Sequence, residues 1–144
     1  MKAKRKGKIE SSLPQEFYVL GIASHEKPFS ICWEINRIFD TKLVLQQPFY
    51  RKRKELGDDL FFATFGNPDE EIGTRFMLVE NMHADGYFFE RNKTFQYLLI
   101  VSENIAAFPP DHFIQGLKKS EMIILSAQIA LTAKMDIEFF RHYL

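Results

Sequence analysis

The chain has one cysteine and one tryptophan in 144 residues, and the two stand side by side as Cys32 and Trp33. A lone cysteine excludes any disulfide within the chain, which points to a reducing compartment and an expected cytoplasmic location. No apolar run approaches the roughly 18 residues of a membrane-spanning helix. No apolar stretch follows the basic start, so no secretory leader is expected. Gly-x-Ser-x-Gly and Cys-x-x-Cys are both missing, and the seven glycines form no cluster ahead of a helix that would cradle phosphate. His25, His83, His112 and His142 never fall three or four apart, so no metal pair sits on one helix face. Neither catalytic residues, nor a metal, nor a cofactor is expected from these patterns. The Asn-Lys-Thr sequon at Asn92–Thr94 carries no weight without an export signal.

Phenylalanine and segregated charge are what the chain has in quantity. Fifteen Phe and five Tyr fall partly in strand-like runs such as LFFATF and YFFE, which suit a sheet packed beneath helices. Net charge is zero, with 19 basic and 19 acidic residues. Nine of the basic ones sit in two tracts: Lys2, Lys4, Arg5, Lys6 and Lys8, then Arg51, Lys52, Arg53 and Lys54. The rest of the chain is therefore acidic, which argues against a broad basic face for nucleic acid. Residues 1–13 are expected as a disordered basic tail and 14–144 as one α+β domain.

Hydrophobic periodicity orders that domain. EFYVLGIAS (16–24) is apolar on both alternating faces, a central strand. Over 28–40, Ile31, Cys32, Ile35, Ile38 and Phe39 recur at three- and four-residue steps opposite Ser30, Glu34 and Arg37, predicting an amphipathic helix opened by Pro28. Cys32 then lies on the buried stripe as an inert small hydrophobe. Phe29 and Trp33, four apart, are expected to cover one edge of the sheet. Strands are expected at 42–48, 60–66, 73–82, 87–91, 94–103 and 121–131, with 49–59 as a charged connection. A second helix is expected at 109–120, with Phe113, Ile114 and Leu117 inward and Gly116 out of place. Residues 135–144 fit a strand or a terminal helix. The order gives a mainly antiparallel sheet with two helices on one face. Strands 16–24, 95–101 and 122–129 are apolar on both sides, so the C-terminal segment or a partner is expected over the second face.

Residues 17–43, FYVLGIASHEKPFSICWEINRIFDTKL, resemble the opening of the uncharacterised bacterial IPExxxVDY family. There a strand ending in Gly-Ile precedes a helix carrying Trp-Glu-x-Asn, and Gly21, Ile22, Trp33, Glu34 and Asn36 occupy those places. YLLIVSEN (97–104) is similar to the family's later apolar strand. Ile-Pro-Glu followed by Val-Asp-Tyr is not found in this chain. The resemblance covers about half of the chain and implies a small bacterial cytoplasmic protein with no known activity.

Three functional expectations follow. The first is a non-enzymatic domain acting through self-association, as a homodimer, or through a protein partner, because apolar strands accompany no catalytic constellation. The second is nucleic-acid binding through Lys4, Arg5, Lys6, Arg51, Lys52, Arg53 and Lys54, with Phe49 and Tyr50 beside the second tract. The third is a small-ligand site or enzyme cleft beside the first helix, lined by Trp33, Glu34, Asn36 and Arg75.

Overall fold

A computed structural model describes residues 17–52, 59–66, 75–83, 86–88, 92–102 and 109–131; within these ranges the side chains at 50–52, 59, 75 and 83 are not described. The elements run β1 (Phe17–Ala23), α1 (Pro28–Phe39), β2 (Val44–Leu45), β3 (Phe49–Lys52), β4 (Asp59–Phe62), β5 (Thr64–Gly66), β6 (Arg75–Glu80), β7 (Met82–His83), β8 (Gly86–Tyr87), β9 (Tyr97–Ser102), α2 (Pro110–Lys118) and β10 (Leu125–Ile129). Six strands form one antiparallel sheet in the order β10-β1-β9-β6-β5-β2. β1 slots between β9 and β10, so α2 crosses over it to link them. The expected α+β architecture with both helices on one face is present.

Period-two alternation sorts the strands' side chains onto two faces. Tyr18, Leu20 and Ile22 of β1 join Tyr97, Leu99 and Val101 of β9 beneath the helices, where Ile31 and Ile35 of α1 and Phe113 and Leu117 of α2 meet them. Phe17 and Val19, with Leu98 and Ile100, point to the other face. Each such side chain contributes about 1.5–3 kcal/mol relative to leaving it in water.

That second face is closed by an element the sequence reading did not supply. Residues 49–59 were expected as a charged connection, yet Phe49–Lys52 is a strand paired antiparallel with Asp59–Phe62. Phe49, Leu60 and Phe62 are buried against the second face together with Phe88 and Phe95. The Phe88 ring meets those of Phe62 and Phe49 at 5.4 and 5.7 Å. Among the described residues this aromatic layer covers the face; residues 135–144 lie outside them. The expected single strand at 60–66 is therefore two. The chain leaves the aromatic layer and enters the main sheet at Ala63, where Thr64 Oγ1 donates to the Phe62 carbonyl and accepts from the Phe49 N–H.

Other expected strands are shorter than predicted. The 42–48 run pairs only at Val44–Leu45, and of 87–91 only Tyr87 pairs, within β8, with 89–91 outside the described residues. Residues 94–96 turn before β9 because buried Asn81 donates its amide to the carbonyls of Asn92 and Phe95. Close approach explains two glycines. A Cβ on Gly21 would lie 2.4 Å from the Phe95 ring, which rests on β1 there. One on Gly116 would lie 2.8 Å from Phe39, where α2 crosses α1.

Candidate functional site: helix α1 and the β2 edge

α1 places each candidate side chain by its angle around the axis. Pro28 occupies the first turn, and the helix ends at Asp40, whose N–H still donates to the Asn36 carbonyl and whose left-handed backbone (φ 55°) turns the Thr41 N–H back onto the same oxygen at 3.2 Å. Cys32 is 5% exposed and its thiol donates to the Leu43 carbonyl at 3.5 Å. Burial pushes the thiol pKa up, partly offset by the Asn36 amide, so the thiolate that would be reactive is disfavoured.

Glu34 looks instead toward α2. Its carboxylate is 3% exposed, accepts Arg37 Nε and Nη2 at 2.8 and 2.9 Å, and accepts the Ser120 hydroxyl. Ser120 also accepts the Met122 N–H at 3.1 Å. The Arg37 hydrogen bonds hold the Glu34 carboxyl below the usual carboxylate range, against the opposing effect of burial. This clasp ties α1 to the turn that follows α2, and a buried carboxylate survives because charge and hydrogen bonds both compensate it.

Asn36 turns the third way, toward the sheet edge. Its Oδ1 accepts the Leu43 N–H at 2.8 Å and its Nδ2 donates to the Leu43 carbonyl at 3.1 Å, so one amide imitates a neighbouring strand. The Thr41 hydroxyl donates to the same Oδ1 at 2.7 Å. Glu34 and Asn36 are thus occupied on different sides of the helix. Arg75 opens β6 opposite Ser102, with its side chain outside the described residues.

Trp33 and Phe29 do not cover the sheet edge as expected. They remain 59% and 67% exposed, although the Phe29 ring meets Phe65 edge-on at 5.2 Å. Both stand on α1 one turn apart, beside the last strand of the sheet. Leu45, on β2, lies opposite Phe65 and so points to the same face, where it is 57% exposed. Val44 is 45% exposed on the other face. The outcome is that Phe29, Trp33 and Leu45 stand exposed near β2, whose outer side is paired with no strand among the described residues. A helical moment reveals which residues are buried, but an i, i+4 aromatic pair reads alike whether it is covered or bare.

A groove of about 810 Å³ runs between the C-terminal half of α1 and α2. Ile38, Phe39 and Gly116 form its apolar floor, and Arg37, His112 and Lys119 stand along it. It lies beside the helix expected to border a cleft, but Trp33 and Asn36 are not among its walls. A smaller polar pocket of about 180 Å³ sits past β1, lined by Ser24, Glu26, Glu80, Gln96 and Tyr97 among others. There the Ser24 N–H donates to Gln96 at 2.8 Å and the Tyr97 hydroxyl donates to the Glu26 carbonyl. Burial, with Glu80 and Glu26 nearby, pushes the Tyr97 hydroxyl pKa well up. Among the described residues no three His, Cys, Asp or Glu gather as a metal site. His25 and His112 lie exposed in the β1–α1 turn and on α2. The backbone of Arg51 and Lys52 belongs to β3, while Lys4, Arg5, Lys6, Arg53 and Lys54 lie outside the described residues.

No protein-family model matches this chain, and no curated protein or solved structure matches it either. No described helix is long and apolar enough to cross a membrane.

Proposed function

We propose that this chain is a non-enzymatic cytoplasmic association domain that makes its contact through the apolar patch on α1 and the β2 edge. The observation that carries this reading is the exposure of the only tryptophan and of Phe29 one turn before it on α1, 59% and 67%. Exposed aromatic anchors of this kind dominate binding energy at protein interfaces. The occupied states of Cys32, Glu34 and Asn36 agree with it, since each serves the fold. The resemblance to the IPExxxVDY family rests on Gly21, Ile22, Trp33, Glu34 and Asn36, of which Gly21 lies under Phe95, Glu34 sits in its clasp and Asn36 holds Leu43.

A photo-crosslinking side chain at position 33, in the full chain at native expression, tests the reading. It should give adducts of defined mass that a crosslinker at Lys118 does not give and that Phe29→Ser abolishes. Absence of adducts at position 33 would exclude it.

The groove between α1 and α2 favours a second reading, a small-ligand site. Arg37, His112 and Lys119 over an apolar floor suit an anionic ligand with a hydrophobic body. Titration calorimetry with medium-chain carboxylates checks it, and heat that persists in Lys119→Ala plus His112→Ala would reject it.

A further inference from the structure

The β2 edge carries a more specific instruction. The Gln46 N–H donates to the Thr64 carbonyl at 2.8 Å, and the strand register sets Val44 opposite Gly66 and Leu45 opposite Phe65. In an antiparallel ladder hydrogen-bonded and non-bonded pairs alternate. Gln46–Thr64 is a bonded pair, so Leu45–Phe65 is a non-bonded one. The Leu45 N–H and C=O therefore point away from β5, out of the sheet. Two residues earlier, the N–H and C=O of Leu43 are both taken by the Asn36 amide. The fold thus caps one position of this edge with a side chain and leaves the next open, beside Phe29 and Trp33. Among the described residues no strand pairs with that side of β2.

Resting on the association reading, we infer that the occupant is a second copy of this chain, joined about a twofold axis at Leu45. In an antiparallel bonded pair each residue both donates to and accepts from its opposite. Leu45 and the same residue of a second copy satisfy that exchange with their outward groups. A twofold axis normal to the sheet keeps both copies' helices on one side. The Phe29, Trp33 and Leu45 patches then flank a common seam, the self-complementary arrangement of an isologous dimer.

Size and charge favour a copy over a short peptide. Taking about 150–250 Å² for a fully exposed large side chain, the exposures of Phe29, Trp33 and Leu45, with Val44 on the other face, leave roughly 340–570 Å² of apolar surface. A standard interface buries about 800 Å² per partner, a little over half of it apolar, which is about the same amount. Exposed Lys42, Gln46 and Gln47 supply a polar rim. A formal net charge of zero at pH 7 means that no long-range repulsion opposes two like copies.

Sedimentation velocity on the full chain from about 1 to 100 μM decides the matter. The wild type should sediment as a reversible dimer, little affected by 0.5 M salt because the contact is apolar. Leu45→Pro removes the outward N–H together with the exposed leucine side chain, and proline is tolerated at an edge strand. It should weaken the dimer at least tenfold with an unchanged circular dichroism spectrum. Phe29→Ser with Trp33→Ser, both at exposed helix positions, should do the same even if the proline variant fails to fold. Ile124→Ser with Leu125→Ser, at the opposite edge, should leave the dimer intact. A monomeric wild type, a dimer untouched by the seam variants, or a dimer lost through the β10 edge would each overturn the inference. The crosslinking result at position 33 judges the association reading separately, since adducts to another protein would sustain it without a dimer.

Discussion

At the scale of single residues, the polar side chains of α1 are committed to the fold. Cys32 faces the Leu43 carbonyl with its thiol pKa raised. Native protein should react with a bulky thiol reagent at least a hundredfold more slowly than unfolded protein, as followed by absorbance. The Glu34 clasp makes a pH prediction. Its carboxyl pKa is lowered in the fold, so between that value and the ordinary one, near 4.3, the unfolded chain binds the extra proton. The clasp's contribution is complete above the ordinary value and is lost as pH falls through the folded one. Chemical denaturation from pH 6 to pH 2.5 should show this loss, and Arg37→Ala should flatten it. Ser120→Ala removes a buried hydroxyl bonded to both Glu34 and Met122; it should cost about 1–3 kcal/mol. Ser126 is the converse. Its buried hydroxyl has no hydrogen-bond partner among the described residues, so Ser126→Ala should be neutral or stabilising by up to about 1 kcal/mol in urea melts.

At the scale of elements, close contacts decide where strands and helices begin, bend and meet. β1 needs Gly21 because the Phe95 ring occupies the place of a Cβ. Gly21→Ala should cost about 2–3 kcal/mol by overpacking, read as a lower midpoint in urea. α1 and α2 touch through Gly116 and Phe39, which is why a poor helix former sits inside α2. The aromatic hairpin β3–β4 explains why β1 and β9 are apolar on both faces, the feature that had suggested a partner over the sheet. The case for association moves from the sheet face to its edge, where Phe29, Trp33 and Leu45 stay bare.

At the scale of the whole molecule, burial and pairing are greatest in the middle of the sheet and fall toward the β2 edge. β1 and β9 are buried along their full length and pair on both sides, whereas β2 has two exposed residues. Hydrogen exchange should protect Val19, Leu20, Leu99 and Ile100 longest and Leu45 least; protection at Leu45 that rises with protein concentration would report the seam. The central strands, both helices, the buried stripe with Cys32 and the two-helix side of the sheet were legible in the sequence, because period and burial are properties of short segments. The tract at 49–52 read as a connection because its charges masked a strand whose pairing depends on residues 59–62. The directions of Glu34 and Asn36 were not legible either, since Ser120 lies 86 residues from Glu34. By itself, then, the amino-acid order determined which segments carry an apolar face, because that depends on neighbours one turn or one pleat away. Only the tertiary structure decided which faces are covered and which aromatics stay bare, because covering a face takes atoms brought together from distant parts of the chain.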